Sequence, residues 1–292
     1  MHYRHLLLCL AVVAAACAEP SASVDPVEDP GERTLSEGVG IVEASSLPED
    51  VQIVDARPLD AFREAHPVGA VHLDASTLRT TVDGVDGQVV PRSTFDGLLA
   101  PTGLEPVRPI AVIGAGNDTA TARVFWTLAF HGAGDLALVD GGVDAWVDAG
   151  GQLVAGDPEA RTGGWDGEPT RAELRVDLDW MVEHLDDPDV RLFDVRTPDE
   201  YAAGHIPGAV NVDWTRNLRD DGRFRTRDAI LALHDEPTAP TVVVYCQSGA
   251  RASVSWSVLH DAGLPDVRLY DGSWNEWGVD PDTPKVEGAT PR

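Results

Sequence analysis

Val242-Val243-Val244-Tyr245-Cys246-Gln247-Ser248-Gly249-Ala250-Arg251 is the stretch on which the reading of this chain turns. Its first four residues are an unbroken β-branched and aromatic run, the composition of a buried strand. They deliver one thiol into a tight loop of small residues closed by an arginine. The helix-like stretch Ala252–His260 follows at once. Backbone N–H groups of such a loop, and the helix N-terminus behind it, favour an anion on the sulfur. Cys246 therefore reads as a nucleophilic thiolate.

The chain has 292 residues, enough for two domains, and its 43% hydrophobic content with eight Trp suits globular cores. A net charge of −27 argues against general nucleic-acid binding and against adhesion to anionic membrane surfaces. Of the three cysteines, Cys9 lies in the apolar run Leu6–Ala16 behind His2-Tyr3-Arg4-His5. That run is too short for an ordinary spanning helix and reads, within residues 1–17, as a signal sequence. Its end, Val13-Ala14-Ala15-Ala16-Cys17, resembles a bacterial lipoprotein signal, with Ala14 where Leu is commonest. The expectation is export, as a membrane lipoprotein facing the periplasm and held only by lipid on Cys17. The alternative is an ordinary secretory signal and a soluble periplasmic protein. With Cys17 acylated, Cys246 is the one free thiol and no intramolecular disulfide is available; in an oxidising compartment that points to reactivity. Residues 18–37 read as an acidic disordered tether. No His/Cys cluster has metal spacing, so neither a metal nor a cofactor is expected.

The chain also repeats itself. Ile53-Val54-Asp55-Ala56-Arg57-Pro58 matches Leu192-Phe193-Asp194-Val195-Arg196-Thr197, and His66 matches His205, at an offset of 139. Pro109–Ile113 matches Pro240–Val244, and Leu138–Gly142 with Trp146 matches Leu269–Ser273 with Trp277, at an offset of 131. Ile53–Asp55, Ile110–Ile113 and Leu136–Val139 read as strands, repeated by Leu192–Asp194, Thr241–Tyr245 and Val267–Tyr270. Thr121–His131 and Ser253–His260 read as helices. The alternation predicts an α/β fold: two tandem units, 38–155 and 173–285, each a parallel sheet with helices on both faces, joined by a linker at 156–172 and followed by a tail at 286–292. Ligands of such sheets sit beyond the strand C-termini, where Cys246 falls.

At these residues the chain resembles the tandem-domain rhodaneses, which are sulfurtransferases. Tyr201–Val212, containing His205-Ile206-Pro207-Gly208-Ala209, resembles the family's N-terminal motif; Val267–Trp277 resembles its C-terminal one; Cys246–Arg251 is the six-residue active loop. The resemblance covers roughly residues 38–285. It implies two rhodanese-like domains, of which the second works. The position matching Cys246 falls on or next to Ala115, so the first cannot carry a persulfide.

The implied chemistry is transfer of a sulfane sulfur from thiosulfate, through a persulfide on Cys246, to cyanide or a thiol. The partners are then a small anionic donor and a thiophilic acceptor, with the protein a monomer. Gln247, Ser248, Gly249, Ala250 and Arg251 form the loop. Arg251 either binds the donor anion or supports the helix start. Arg196 either contacts substrate, as the matching family arginine does, or pairs with Asp194. His205 is expected to be structural, because the inactive copy has its equivalent; His66 and Trp274 are candidates for the wall of a cleft. Phosphate-ester chemistry needs five residues between Cys and Arg, whereas here four lie between them, the smaller loop that suits sulfur. 3-Mercaptopyruvate enzymes of the family often have Gly after the Cys and Thr at the loop end, where this chain has Gln247 and Arg251. An anchored persulfide carrier serving a protein partner, and a redox-sensing thiol, are the non-enzymatic readings.

Overall fold

The structure, a computed structural model, describes residues 38–165 and 169–291. Cys9, Cys17 and the segment 18–37, on which the export and tether expectations rest, lie outside them. The first unit runs β1 (Val39–Val42), β2 (Gln52–Asp55), α1 (Leu59–Glu64), β3 (His66–Pro67), β4 (Val71–His72), a hairpin of β5 (Arg79–Val82) and β6 (Val85–Val89), α2 (Arg92–Leu99), β7 (Ile110–Ile113), α3 (Thr119–Phe130), β8 (Leu136–Val139), α4 (Gly142–Asp148) and β9 (Leu153–Val154). The second runs β10 (Arg175–Val176), α5 (Leu178–Glu183), β11 (Val190–Asp194), α6 (Pro198–Ala203), β12 (Val210–Asn211), α7 (Arg227–Leu233), β13 (Thr241–Tyr245), α8 (Ala250–Asp261), β14 (Val267–Tyr270) and α9 (Ser273–Trp277).

Each unit builds a five-stranded parallel sheet. The orders are β1-β8-β7-β2-β4 and β10-β14-β13-β11-β12, which are the same order when each unit's strands are matched by their place in the repeat. The central strands β7 (Ile-Ala-Val-Ile) and β13 (Thr-Val-Val-Val-Tyr) are buried almost throughout, as expected of strands covered on both faces. The α/β architecture read from the alternation is the one observed. The element starts agree with the two offsets: β4 and β12 are 139 apart, while α3 and α8, and β8 and β14, are 131 apart. Ala115 therefore corresponds to Cys246 without slippage.

The units meet through α3 and α8. Ten of the twelve residues of α3 and nine of the twelve of α8 are buried, because each helix has its own sheet on one side and the other unit on the other. One apolar cluster runs through both, from Val112 and Phe125 to Trp256 and Val244. The contact is also reciprocal. The N–H of Val89, at the end of the first unit's hairpin, donates to Asp271 Oδ2 at 2.7 Å. The N–H of Phe224 donates to Asp140 Oδ1 at 3.1 Å. Asp140 and Asp271 are repeat partners at the ends of β8 and β14, so each sheet receives the other unit's returning chain on the same carboxylate.

Neither the linker nor the tail is loose where it is described. Trp165 is buried and its indole N–H donates to the carbonyl of His131 at 2.7 Å. Val286 pairs with His205, and the N–H of Gly208 donates to the carbonyl of Pro291 at 2.8 Å. Residues 286–291 thus run back along α6.

Candidate active site

Cys246 leaves β13 at the C-terminal edge of the second sheet and is 1% exposed. Its backbone is held from α9. The Cys246 N–H donates to Ser273 Oγ at 3.3 Å, Ser273 Oγ donates to the carbonyl of Tyr270 at 2.8 Å, and the N–H of Trp274 donates to the carbonyl of Cys246 at 3.0 Å. The next residue is tied the same way: the N–H of Asn275 reaches the carbonyl of Gln247 at 2.9 Å, and the Gln247 amide donates to Asn275 Oδ1 at 2.8 Å. Ser273 adopts φ +53, a left-handed conformation costly for a residue with a Cβ; here it aims the hydroxyl at the Cys246 amide.

Gly249 then enters α8 at φ +82 with no side-chain cap. A Cβ there would lie 2.7 Å from Arg123 Nη1 and 3.0 Å from Asp271 Oδ1, so both backbone angle and space require glycine. The N–H groups of residues 247–252 have no acceptor among the described residues. That row of donors, at an uncapped helix start, is the anion cradle expected from the loop's composition.

Arg251 closes the loop. Its Nη1 and Nη2 donate to the two carboxylate oxygens of Glu200 at 2.7 and 2.8 Å. Glu200 is itself fixed, since it completes the capping box of α6 with Thr197. The guanidinium holds the Glu200 carboxyl at about 2, well below the usual carboxylate range. Glu200 first, and the negative charge of a Cys246 thiolate after it, push the Arg251 pKa up. Arg251 is therefore a neutralised pair beside the sulfur.

Arg196 is engaged by Asp194. It is 2% exposed, donates to both oxygens of Asp194 at 2.6–3.0 Å and to the carbonyl of Gly204 at 2.6 Å, and stacks on Trp274. Arg57 repeats the arrangement on Asp55 and the carbonyl of Ala65 in the first unit, where there is no thiol. Of its two sequence readings, the ion pair is the one found. Trp274 meets Cys246 through its backbone, its ring being packed between Arg196, Gly204 and Gly278. His66 is not brought to the loop: it stacks on Phe62 at 3.8 Å and bonds to that residue's carbonyl. His205 does the same on Tyr201 at 3.7 Å, as its structural assignment requires.

The first unit supplies neighbours that the sequence reading missed. Arg123, from α3, is fully buried and donates from Nη1 to Asp271 Oδ1 at 2.8 Å and from Nη2 to the carbonyl of Gly87. Arg79, at the start of β5, donates from Nη2 to Ser248 Oγ at 2.8 Å and to the Ser248 carbonyl at 3.1 Å. These contacts span 148 and 169 residues of chain and exist only because the two units are docked. Their one sequence signal is the drop in offset from 139 to 131, which marks a longer segment in the first copy between β4 and β7. A cleft of ≈ 490 Å³ lies at the first unit's own loop, between Ala115–Asp118 and Asp221–Arg223, and does not include Cys246.

The family model described as a rhodanese-like domain matches residues 42–149 and again residues 177–280. "Putative thiosulfate sulfurtransferase SseA" of Mycobacterium bovis is 32% identical over 278 residues, 87% of this chain and 87% of its own. "Sulfur carrier protein TtuD" of Thermus thermophilus is 30% identical over 276 residues, 86% of this chain and 90% of its own. Among solved structures, wild-type EanB is similar with a TM-score of 0.77 at 24% identity, covering 86% of this chain and 69% of that one. A second is the anaerobic ergothioneine biosynthesis enzyme of Chlorobium limicola with trimethyl histidine, also at TM-score 0.77, over 86% and 70%. These structural likenesses concern the fold.

Proposed function

The chain belongs to the rhodanese-like family, carrying its domain twice, and from that premise we propose that it moves a sulfane sulfur from thiosulfate to a thiophilic acceptor through a persulfide on Cys246. The observation that carries this is the row of unpaired N–H groups at residues 247–252, wrapped behind a lone thiol at an uncapped helix start. Sulfur transfer in general accords with the family and with relatives named as sulfurtransferase and sulfur carrier.

In the first half-reaction the Cys246 thiolate attacks the outer sulfur of thiosulfate. The new bond joins Sγ to that sulfur, the bond to the central sulfur breaks, and sulfite leaves with the electron pair. In the second, cyanide or a thiolate attacks the terminal sulfur and the electrons of the S–S bond return to Cys246. The charged atom is first Sγ and then the sulfur beyond it. The loop N–H groups and the dipole of α8 stabilise both without a neighbouring base. Ser273 and Trp274 hold the cysteine backbone while the loop keeps its shape.

The test is a donor screen on the purified protein, thiosulfate against 3-mercaptopyruvate, read as thiocyanate formed from cyanide. In parallel, the Cys246 peptide is examined by mass for one added sulfur. Turnover with thiosulfate through the persulfide is expected. Preference for 3-mercaptopyruvate would move the donor assignment, and persulfide that accumulates without release to small acceptors would favour the carrier reading that the likeness to TtuD raises. We also propose export and tethering through a lipidated Cys17, the protein otherwise being a monomer. Fractionation of cells making the full chain, with mass measurement of the N-terminal peptide, tests this, and an unmodified N-terminus in a soluble fraction refutes it.

A further inference from the structure

Five arginines surround the Cys246 loop, and four of them face a carboxylate. Arg251 is paired with Glu200, Arg196 with Asp194 and Arg123 with Asp271. Arg175 lies 3.8 Å from Asp271 and donates to Gln88 Oε1. Arg79 differs. No carboxylate among the described residues lies within ion-pairing distance of it, and its three hydrogen bonds go to the carbonyls of Gly87 and Ser248 and to Ser248 Oγ. Nη1 has no partner among the described residues, and the side chain is half-buried at the seam between the hairpin and the loop. The seam is tight: a Cβ on Gly87, at φ +96, would lie 2.4 Å from Arg79 Nη2 and 2.9 Å from Ser248 Cβ.

We propose that Arg79, from the inactive first unit, is the donor-binding residue of the site: its free guanidinium edge receives the anionic end of the sulfur donor two residues beyond Cys246. A chain of net charge −27 repels an anion, so the site needs a local cation, and among the described residues Arg79 is the one arginine of the five with no carboxylate against it. Burial first and Arg123 second push its pKa down, while Cys246, Asp271 and Asp86 act the other way; a guanidinium remains charged throughout. Ser248 is the coupling element. Its hydroxyl and carbonyl hold Nη2, which leaves Nη1 without a partner among the described residues. The inactive copy is then retained because it carries the charge that selects the donor, which is a role its own missing cysteine does not affect.

The proposal rests on anionic donors reaching Cys246, and its test is separable from the identity of the donor. Cys246 is alkylated with iodoacetate, an anion, and with iodoacetamide, its neutral counterpart, in wild type, Arg79→Gln and Arg79→Lys. A change in thiol pKa or loop order alters both rates together, whereas loss of an anion contact alters their ratio. The expected result is a fall in the iodoacetate-to-iodoacetamide ratio of roughly 10- to 100-fold in R79Q, the size of a lost charged hydrogen bond. R79K, which keeps the charge, is expected to hold the ratio within about threefold. kcat/KM for thiosulfate falls in parallel in R79Q, with the KM for cyanide unmoved. An unchanged ratio in R79Q, or equal slowing by both reagents, overturns the proposal. Should R79Q fail to fold, R79K decides: a held ratio supports the charge argument and a collapsed one ends it. A ratio that falls in R79Q, in a protein whose wild type does not turn over thiosulfate, leaves Arg79 in place and refutes the donor assignment instead.

Discussion

At the end of β7 the chain turns through Gly114-Ala115-Gly116-Asn117 and enters α3 behind Asp118, whose carboxylate accepts the N–H of Thr121 at 2.8 Å and its hydroxyl at 3.0 Å. At the end of β13 it turns through Cys246-Gln247-Ser248 and enters α8 behind Gly249, which offers no side chain at all. The two positions are repeat equivalents, as are Ala115 and Cys246. A helix start presents a cluster of unpaired N–H groups and a partial positive charge, and it takes one anion well. In the first unit the protein's own carboxylate takes that place. In the second the place is left to a sulfur. The two loops thus differ in two linked respects: the thiol, and the absence in the second of an acidic cap that would compete with an anion there.

Around those loops the copies are alike. Asp55–Arg57 and Asp194–Arg196 make the same fork, His66 and His205 the same stack, Asp140 and Asp271 the same handshake with the opposite unit. Arg196 and His66, both attractive as functional residues, sit within these shared features. They diverge in the loop itself and in the longer β5–β6 hairpin that brings Arg79 across.

The largest expected effect is at the difference itself. Cys246→Ser should reduce thiosulfate-to-cyanide transfer roughly thousandfold or more while leaving far-UV circular dichroism and the urea midpoint near wild type. Residual turnover of a few per cent would mean that the sulfur travels by another route.

Next come the shared forks. Arg196→Ala removes the partner of Asp194, which is fully buried, and should cost about 3–5 kcal/mol in a urea titration. Arg57→Ala should cost a comparable amount, since Asp55 is equally buried. Activity of R196A should follow its folded fraction. Full stability with a fall in kcat/KM for thiosulfate would return Arg196 to the substrate.

How much of this was legible beforehand divides along physical lines. The strands β2, β7, β8, β11, β13 and β14 are built on short, mostly buried apolar runs, and each lies where the sequence pattern put it, to within two residues. β4 and β12 are two residues long and carry no periodicity to read. α3 and α8 begin two and three residues earlier than their apolar pattern, because the first turn of each, Thr119-Ala120-Thr121 and Ala250-Arg251-Ala252, carries no large apolar residue to read. Cys246 and its loop were readable because one strand, one loop and one helix are contiguous. Arg79, Arg123 and Ser273 were not, since they act through docking and through a left-handed backbone at a position where glycine is the usual signal.

Each unit also buries a histidine with one ring nitrogen satisfied and the other orphaned. His131 bonds the carbonyl of Val90 through Nε2, leaving Nδ1 unpaired; His234 bonds the carbonyl of Ile230 through Nδ1, leaving Nε2 unpaired. Protonation would bury an unsatisfied N–H, and burial lowers both pKa values from 6.5 to about 4. The unfolded chain therefore binds more protons between those limits, so stability is full above about pH 6.5 and falls as pH drops toward 4. Urea titrations at pH 7 and pH 5 should differ by about 2 kcal/mol for each histidine. Replacing either one should remove its share. Glu200, held at about 2, loses its contribution only from pH 4.5 down, below the pH 7 to pH 5 comparison. A stability profile flat from pH 7 to pH 5 would show that neither ring is buried as described.

The smallest expected effect is the most pointed, because it is an activity that does not appear. Ala115→Cys, made in the Cys246→Ser background, places a thiol at the position equivalent to Cys246, at the end of an equivalent strand and before an equivalent helix. If strand, loop and helix were sufficient, this protein would form persulfide from thiosulfate. It is expected to remain silent, because the Asp118 carboxylate already occupies the start of α3 and repels a second anion there. Its thiol should titrate at or above the free value of about 8.5, read from the pH dependence of iodoacetamide alkylation. Adding Asp118→Gly, the residue of the working copy, should bring that midpoint down even if turnover stays absent, since no unpaired arginine equivalent to Arg79 has been supplied. A low-pKa thiol in the A115C protein with Asp118 still in place would break the comparison, and the silence of the first unit would then have to be explained by the missing thiol alone.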